Sequence, residues 1–264
     1  MENKLYSTQT TRKIIQTALF IALAFVIRNL AVMVYFLGAP GMRISFAAVF
    51  SRMPALLFGP LYGGAASGIL DIVGFLVKPE GDYNPFLTLT AIFGGIVAAF
   101  VWKLVKNIET NKIRLIMWTI TLMLGAIGLF NMMILRFWPD SHIASALSIF
   151  GEKKDFVEIG LIAVSVIGLI LLTVDLIICR KYPKASFQQF YLKVLPAYGT
   201  AGLSVTVLNT FILRMYDPKL ANQLFSVILI PRLITSFLVV VVTSYISAFL
   251  LSIYMRFIKP KELY

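Results

Sequence analysis

FGPLYGGAASGILDIVGFLVKPEGDYNPFLTLTAIFGG, residues Phe58 to Gly95, places an acid and a dense set of glycines in adjacent apolar segments. Asp71 sits in the middle of the run from Leu61 to Val77. An ionisable group at that depth of a membrane costs roughly 2.5 to 3.5 kcal/mol unless it faces a cavity or a partner. Asp71 is therefore a functional candidate. Its partner is either an arginine, Arg28 or Arg52, or a ligand. The glycines divide the remaining work: Gly59 to Gly64 fit a tight, uncharged turn between spans, and Gly68, Gly94 and Gly95 let helices close up.

The 264-residue chain has the same character on both sides of this stretch, with 59% hydrophobic residues, 14% charged and a mean hydropathy of +0.87. It reads as an all-α integral membrane protein, because apolar runs of about 20 residues suit helices, whereas barrel strands are half that length and alternate in polarity. Eight spans are expected, at about 14–37, 43–58, 61–78, 86–105, 115–137, 157–178, 191–215 and 225–256. The second and third are short, with breaks at Pro54 and at Gly59-Pro60. The first run continues to Leu37, too long for a signal peptide, so it reads as an uncleaved helix.

The formal charge of +12 is distributed unevenly. Lys4, Arg12, Lys13, Lys103, Lys106, Lys112, Arg114, Arg180, Lys181, Lys184, Lys193, Arg256, Lys259 and Lys261 fall on one side of the expected spans. The other side holds Arg43, Lys78, Lys153, Lys154 and Lys219 among acids such as Glu80, Asp82, Asp140 and Asp217. Both termini are thus expected in the cytoplasm, and the excess charge requires no nucleic acid. Cys179 and His142 each stand alone, and no GxxxxGK[ST], HExxH or GxSxG occurs. No metal, no cofactor and no enzymatic activity are expected, and the chain has no Walker loop of its own.

On the outer side, 78–85 and 141–156 combine Gly, Pro, aromatic and charged residues, as a lid or a solvated loop would, and the second can hold a short interfacial helix. In the first helix Ala18 and Ala22, with Ala24 nearby, form a small-residue strip that packs either inside the bundle or against another subunit. Arg136, Arg214 and Asp175 lie close enough to span ends to snorkel. Arg28, Asp71 and Arg232 do not. Arginine exceeds acid in the outer halves, which suits an anionic substrate held by guanidinium forks.

Residues 42–100 resemble the substrate-binding S components of energy-coupling factor (ECF) vitamin transporters, especially the folate-type branch. The matching features are Arg43 to Phe46, Phe58 to Pro60 with Gly63 and Gly64, Asp71 to Gly74, and Lys78 to Ala91. VLNTFILRMY (207–216) and LIPRLITSFLVVVVTSYISAFLL (229–251) resemble the family's fifth and sixth helices, with Arg232 at its arginine position. The family typically has six helices. The resemblance therefore implies a single membrane domain over 1–264, with a six-helix core at 10–106 and 191–256 and an inserted helical hairpin at 107–190.

It further implies capture of a vitamin from outside and delivery across the prokaryotic cytoplasmic membrane after docking on a transmembrane scaffold (T) subunit and two ATPases. Folate leads over riboflavin, pantothenate or a queuosine precursor. Arg28, Arg43, Arg214 or Arg232 would meet the glutamate carboxylates, Asp71 or Asn84 would hydrogen-bond the pterin, and Tyr83 or Phe86 would stack on its ring. Ala18 and Ala22 resemble the family's docking motif on the first helix. A self-sufficient secondary transporter is the alternative, although the halves show no convincing internal repeat.

Overall fold

The computed structural model describes residues 2–36, 39–79, 82–139, 154–181 and 187–257. Helix α1 (Glu2–Asn29) leads into an antiparallel hairpin of β1 (Val32–Phe36) and β2 (Ala39–Ile44), with Met33 opposite Arg43. Two short helices follow, α2 (Ala48–Ser51) and α3 (Met53–Phe58), broken by a turn at Arg52 with Pro54 in the first turn of α3. Gly59, at φ 99°, then reverses the chain into α4 (Pro60–Val77). That left-handed conformation costs glycine nothing, and Pro60 at the head of the helix gives up an N–H that has no partner there.

The remaining helices are α5 (Pro85–Val105), α6 (Thr110–Phe137), α7 (Lys154–Lys181), α8 (Phe187–Tyr216), the one-turn α9 (Pro218–Ala221) and α10 (Phe225–Phe257). Among the described residues, six helices are long and apolar enough to cross a membrane. The expected spans 61–78, 86–105, 115–137, 157–178 and 225–256 fall on α4, α5, α6, α7 and α10. The span 191–215 falls on α8, which is not among the six, 43–58 is divided between the end of β2 and the short α2 and α3, and the first span departs as well. The first was expected to run to Leu37, but α1 ends at Asn29 and the chain turns into strands. The β-branched Val32 and Val34 and the aromatic Tyr35 and Phe36 favour a pleated backbone, and Pro40 in β2 cannot continue a helix.

α8 is the central post, packed by α5 on one side and α10 on another, while α4 joins α5 and α1 joins α4 and α2. α4 and α5 meet backbone to backbone: a Cβ on Gly63 would strike Ala55 and the Gly95 carbonyl, and one on Gly95 would strike the Gly63 carbonyl. The largest apolar cluster gathers Met53, Trp102, Tyr191, Leu192, Tyr198 and Leu251.

Hydrogen bonds fix which ends of the helices lie together. Tyr254 donates to Gln16 Oε1 at 2.9 Å, and Lys193 Nζ donates to the Lys106 carbonyl at 2.7 Å. The N-terminal half of α1 and the end of α10 therefore lie toward one end of the bundle, where Lys103, Lys106, Arg180, Lys181 and Arg256 also fall. At the opposite end Phe86 stacks on Tyr216 with ring centroids 5.9 Å apart.

The hairpin of α6 and α7 lies on the flank of α8 and α10. Its helices are joined by Ser165 Oγ, which donates to the Thr121 carbonyl at 2.9 Å, and Val164 and Gly160 of α7 press on Ile234 of α10. Asp175 does not snorkel as its position near the end of the span led us to expect. It is 1% exposed, 3.6 Å from Arg114 Nη2 of α6, so a cation on the neighbouring helix holds it inside. The expected interfacial helix at 141–156 lies outside the described residues, apart from 154–156, which open α7.

Candidate functional site

Between α2, α8 and α10, at the strand-hairpin end of the bundle, lies a cavity of about 250 Å³. Each long helix contributes one stripe at helical spacing. Gly202, Val205, Thr206 and Asn209 face it from α8, and Arg232, Ser236, Val239, Val240 and Thr243 from α10. Ser45 after β2, Ala48 and Arg52 complete the lining. None of these residues is acidic or aromatic.

The polar groups are set from several elements. Thr206 Oγ1 donates to the Gly202 carbonyl at 2.9 Å and lies 3.0 Å from Ser236 Oγ, joining α8 to α10. Asn209 Oδ1 is held by the Thr90 hydroxyl of α5. Arg52 Nη1 donates to the Tyr198 carbonyl at 3.0 Å, and its guanidinium lies 5.3 Å from the centroid of the Tyr198 ring. Arg232 is 5% exposed, and its Nε and Nη1 have no hydrogen-bond partner among the described residues. A buried guanidinium left in that state is expensive, so the site is suited to receive an anion.

A second polar network stands at the same end, between α1, α4 and α5. Arg28 Nη1 meets Asp71 Oδ1 at 3.1 Å, Thr88 donates to Asp71 Oδ2 at 2.8 Å, and the Tyr83 hydroxyl lies 3.0 Å from Thr88 Oγ1. Tyr83 also packs on Phe75, centroids 5.0 Å apart. Gly74 makes this geometry possible, since a Cβ there would fall on the Arg28 guanidinium.

The residues singled out in the sequence thus fall into separate groups. Arg232 lines the cavity. Arg28, Asp71 and Tyr83 are linked to one another. Asn84 caps α5, its Oδ1 accepting from the Phe86 N–H at 3.0 Å, and Phe86 is half exposed against Tyr216. Arg43 pairs through its backbone in β2, and its side chain lies outside what is described. Ala18 and Ala22 are both exposed, on a face of α1 shared with Ile15, Leu19 and Val26.

Thr206, Asn209 and Ser236 were not singled out, and Arg52 was weighed only as a partner for Asp71. An asparagine amide within the apolar helix at 191–215 was the available signal for Asn209.

A multi-pass bundle that encloses a cationic cavity near one end, with no acid among its described lining residues, is the build of a membrane protein that holds a solute. The chain belongs to the family of S components of ECF-type riboflavin transporters, whose model matches residues 8–176 and runs through α6 and most of α7. That family is one of membrane transporter components, in keeping with the six helices long and apolar enough to cross a membrane. It is also similar to a folate transporter FolT of Clostridium novyi (strain NT), 30% identical over 108 residues, covering 40% of this chain and 62% of that protein. A folate transporter FolT of Leuconostoc mesenteroides subsp. mesenteroides is 25% identical over 133 residues, covering 50% of this chain and 68% of that protein. No solved structure matches the chain.

Proposed function

We propose that this protein captures folate from outside the cell and passes it inward when docked on a transmembrane scaffold subunit and two ATPase subunits. The carrying observation is Arg232, buried without a hydrogen-bond partner for Nε and Nη1 among the described residues, in a cavity that no described acid lines. The family is described by riboflavin and the two relatives by folate. Riboflavin is uncharged, whereas folate ends in a glutamate with two carboxylates. An unpaired guanidinium favours the second.

In this reading Arg232 meets a carboxylate, and Arg43 of the strand hairpin is a further candidate for one. Tyr83 and Phe86 offer ring faces for the pterin, and Asn84 a side-chain amide. Arg28 and Asp71 act on the ligand through the placement of Thr88 and Tyr83. The cavity end faces outward, because the opposite end carries the basic residues that the cytoplasmic side retains. With no Walker loop in its sequence, the chain takes its energy from partners. Ala18 and Ala22 on the exposed side of α1 meet the scaffold, their small side chains allowing close helix approach.

Mass spectrometry of the compound that copurifies with the solubilised protein tests the substrate. Folate is expected. Recovery of riboflavin would overturn the folate assignment and leave the family untouched.

A further inference from the structure

We propose that Arg52 and Arg232 together form a subsite for a dianionic ligand end, so that the second charge on the ligand is a requirement of binding. The inference rests on the capture of a vitamin in this cavity and goes beyond it by adding Arg52, which no sequence feature assigned to the ligand.

The two arginines reach one space from different elements, the α2–α3 turn and α10. Ser236, one turn beyond Arg232, lies beside Arg52: a Cβ on Gly202 would sit 3.6 Å from Arg52 Nη1 and 3.7 Å from Ser236 Oγ. The absence of a side chain at Gly202 leaves both polar heads facing the cavity.

Arg52 is also oriented. The Tyr198 carbonyl takes one N–H and the Tyr198 ring lies 5.3 Å from the guanidinium, which uses one of five donors and fixes the fork. The acid that could have neutralised it, Asp71, is engaged by Arg28 at 3.1 Å. Neither Arg52 nor Arg232 has a carboxylate within ion-pair reach among the described residues. Two like charges in a space poorly screened by water repel each other, and each alone is costly to bury. A ligand with a single negative charge relieves one of them. A dicarboxylate or a phosphate monoester relieves both, through charge-assisted hydrogen bonds to two forks.

The test measures the affinities of purified wild-type protein for folate, for pteroate, which lacks the glutamate, for riboflavin and for riboflavin 5′-phosphate. Folate is expected to bind at least about 100-fold more tightly than pteroate, and Arg52→Gln or Arg232→Gln to bring that ratio below about 10-fold, as loss of a charged hydrogen bond implies. Arg52→Lys keeps the charge and a donor for the Tyr198 carbonyl. It is expected to stay folded by thermal melting and still lose about 10-fold of the discrimination, which keeps the test valid should Arg52→Gln misfold. A preference for the phosphate over riboflavin, lost in the same variants, would support the subsite with a phosphate as its dianion. Equal binding of folate and pteroate, with no preference between the flavins, would overturn the subsite alone, as would a discrimination that Arg52→Lys leaves intact. Failure of all four compounds to bind would overturn the vitamin reading and the subsite with it.

Discussion

Arg28 on α1 and Asp71 on α4 form an ion pair with Nη1 and Oδ1 3.1 Å apart, and the second carboxylate oxygen accepts from Thr88 on α5 at 2.8 Å. One carboxylate therefore joins three helices. Asp71→Asn is expected to lower the melting temperature, as loss of a part-buried pair worth about 1–3 kcal/mol would do, and to change folate affinity by less than about threefold. An affinity loss of more than tenfold at an unchanged melting temperature would instead make Asp71 a reader of the ligand.

Gly74 gives the pair its room. Gly74→Ala places a methyl group where the Arg28 guanidinium now lies and is expected to cost about 1–3 kcal/mol. In an Arg28→Ala background the same change meets empty space and removes a helix-breaking glycine, so it becomes neutral or stabilising by up to about 1 kcal/mol. Melting curves of the four proteins in this cycle check the reversal of sign. Additive losses would show that Gly74 is packed against something other than Arg28.

Gly202 opens the cavity from the α8 side. Gly202→Leu fills the space between Arg52 and Ser236 and presses on Val240. Folate affinity is expected to fall at least about 100-fold while the protein remains folded, since the change acts where the ligand is proposed to sit. Binding titrations beside far-ultraviolet circular dichroism decide the point.

Ala18→Trp and Ala22→Trp enlarge a face of α1 that none of the described residues covers. Ligand binding by the isolated protein is expected to stay within about twofold of wild type, and uptake by cells carrying the whole transporter to fall to background. Normal uptake would remove α1 as the docking face.

Much of this architecture could be read from residues alone, because a run of apolar side chains long enough to cross a bilayer has few other uses. The break at Gly59-Pro60 was equally plain, since a glycine before a proline marks the end of one helix and the start of another. Val32–Phe36 misled because its side chains are as apolar as the helix before it, and only pairing with β2 reveals a strand. Asp175 misled because its position near the end of α7 suggested water, whereas Arg114, distant in sequence, holds it inside. At the site, Arg232 was visible as a charge in an apolar run. The significance of Arg52 was not, since the group that orients it is a backbone carbonyl at Tyr198, which any residue there would supply.

Helix α1 is tied at its middle by Gln16 to Tyr254 of α10 and near its C-terminal end by Arg28 to Asp71 of α4, with Ala24, Phe25 and Ile27 resting on Ala47 and Leu70 between. Its second half is a beam between two supports, loaded on its outer side wherever a neighbour presses at Ala18 and Ala22. Force applied there reaches α10, the helix that carries Arg232, through one support, and Thr88 and Tyr83 through the other. A partner that never touches the ligand thus has two mechanical routes to the residues proposed to hold it.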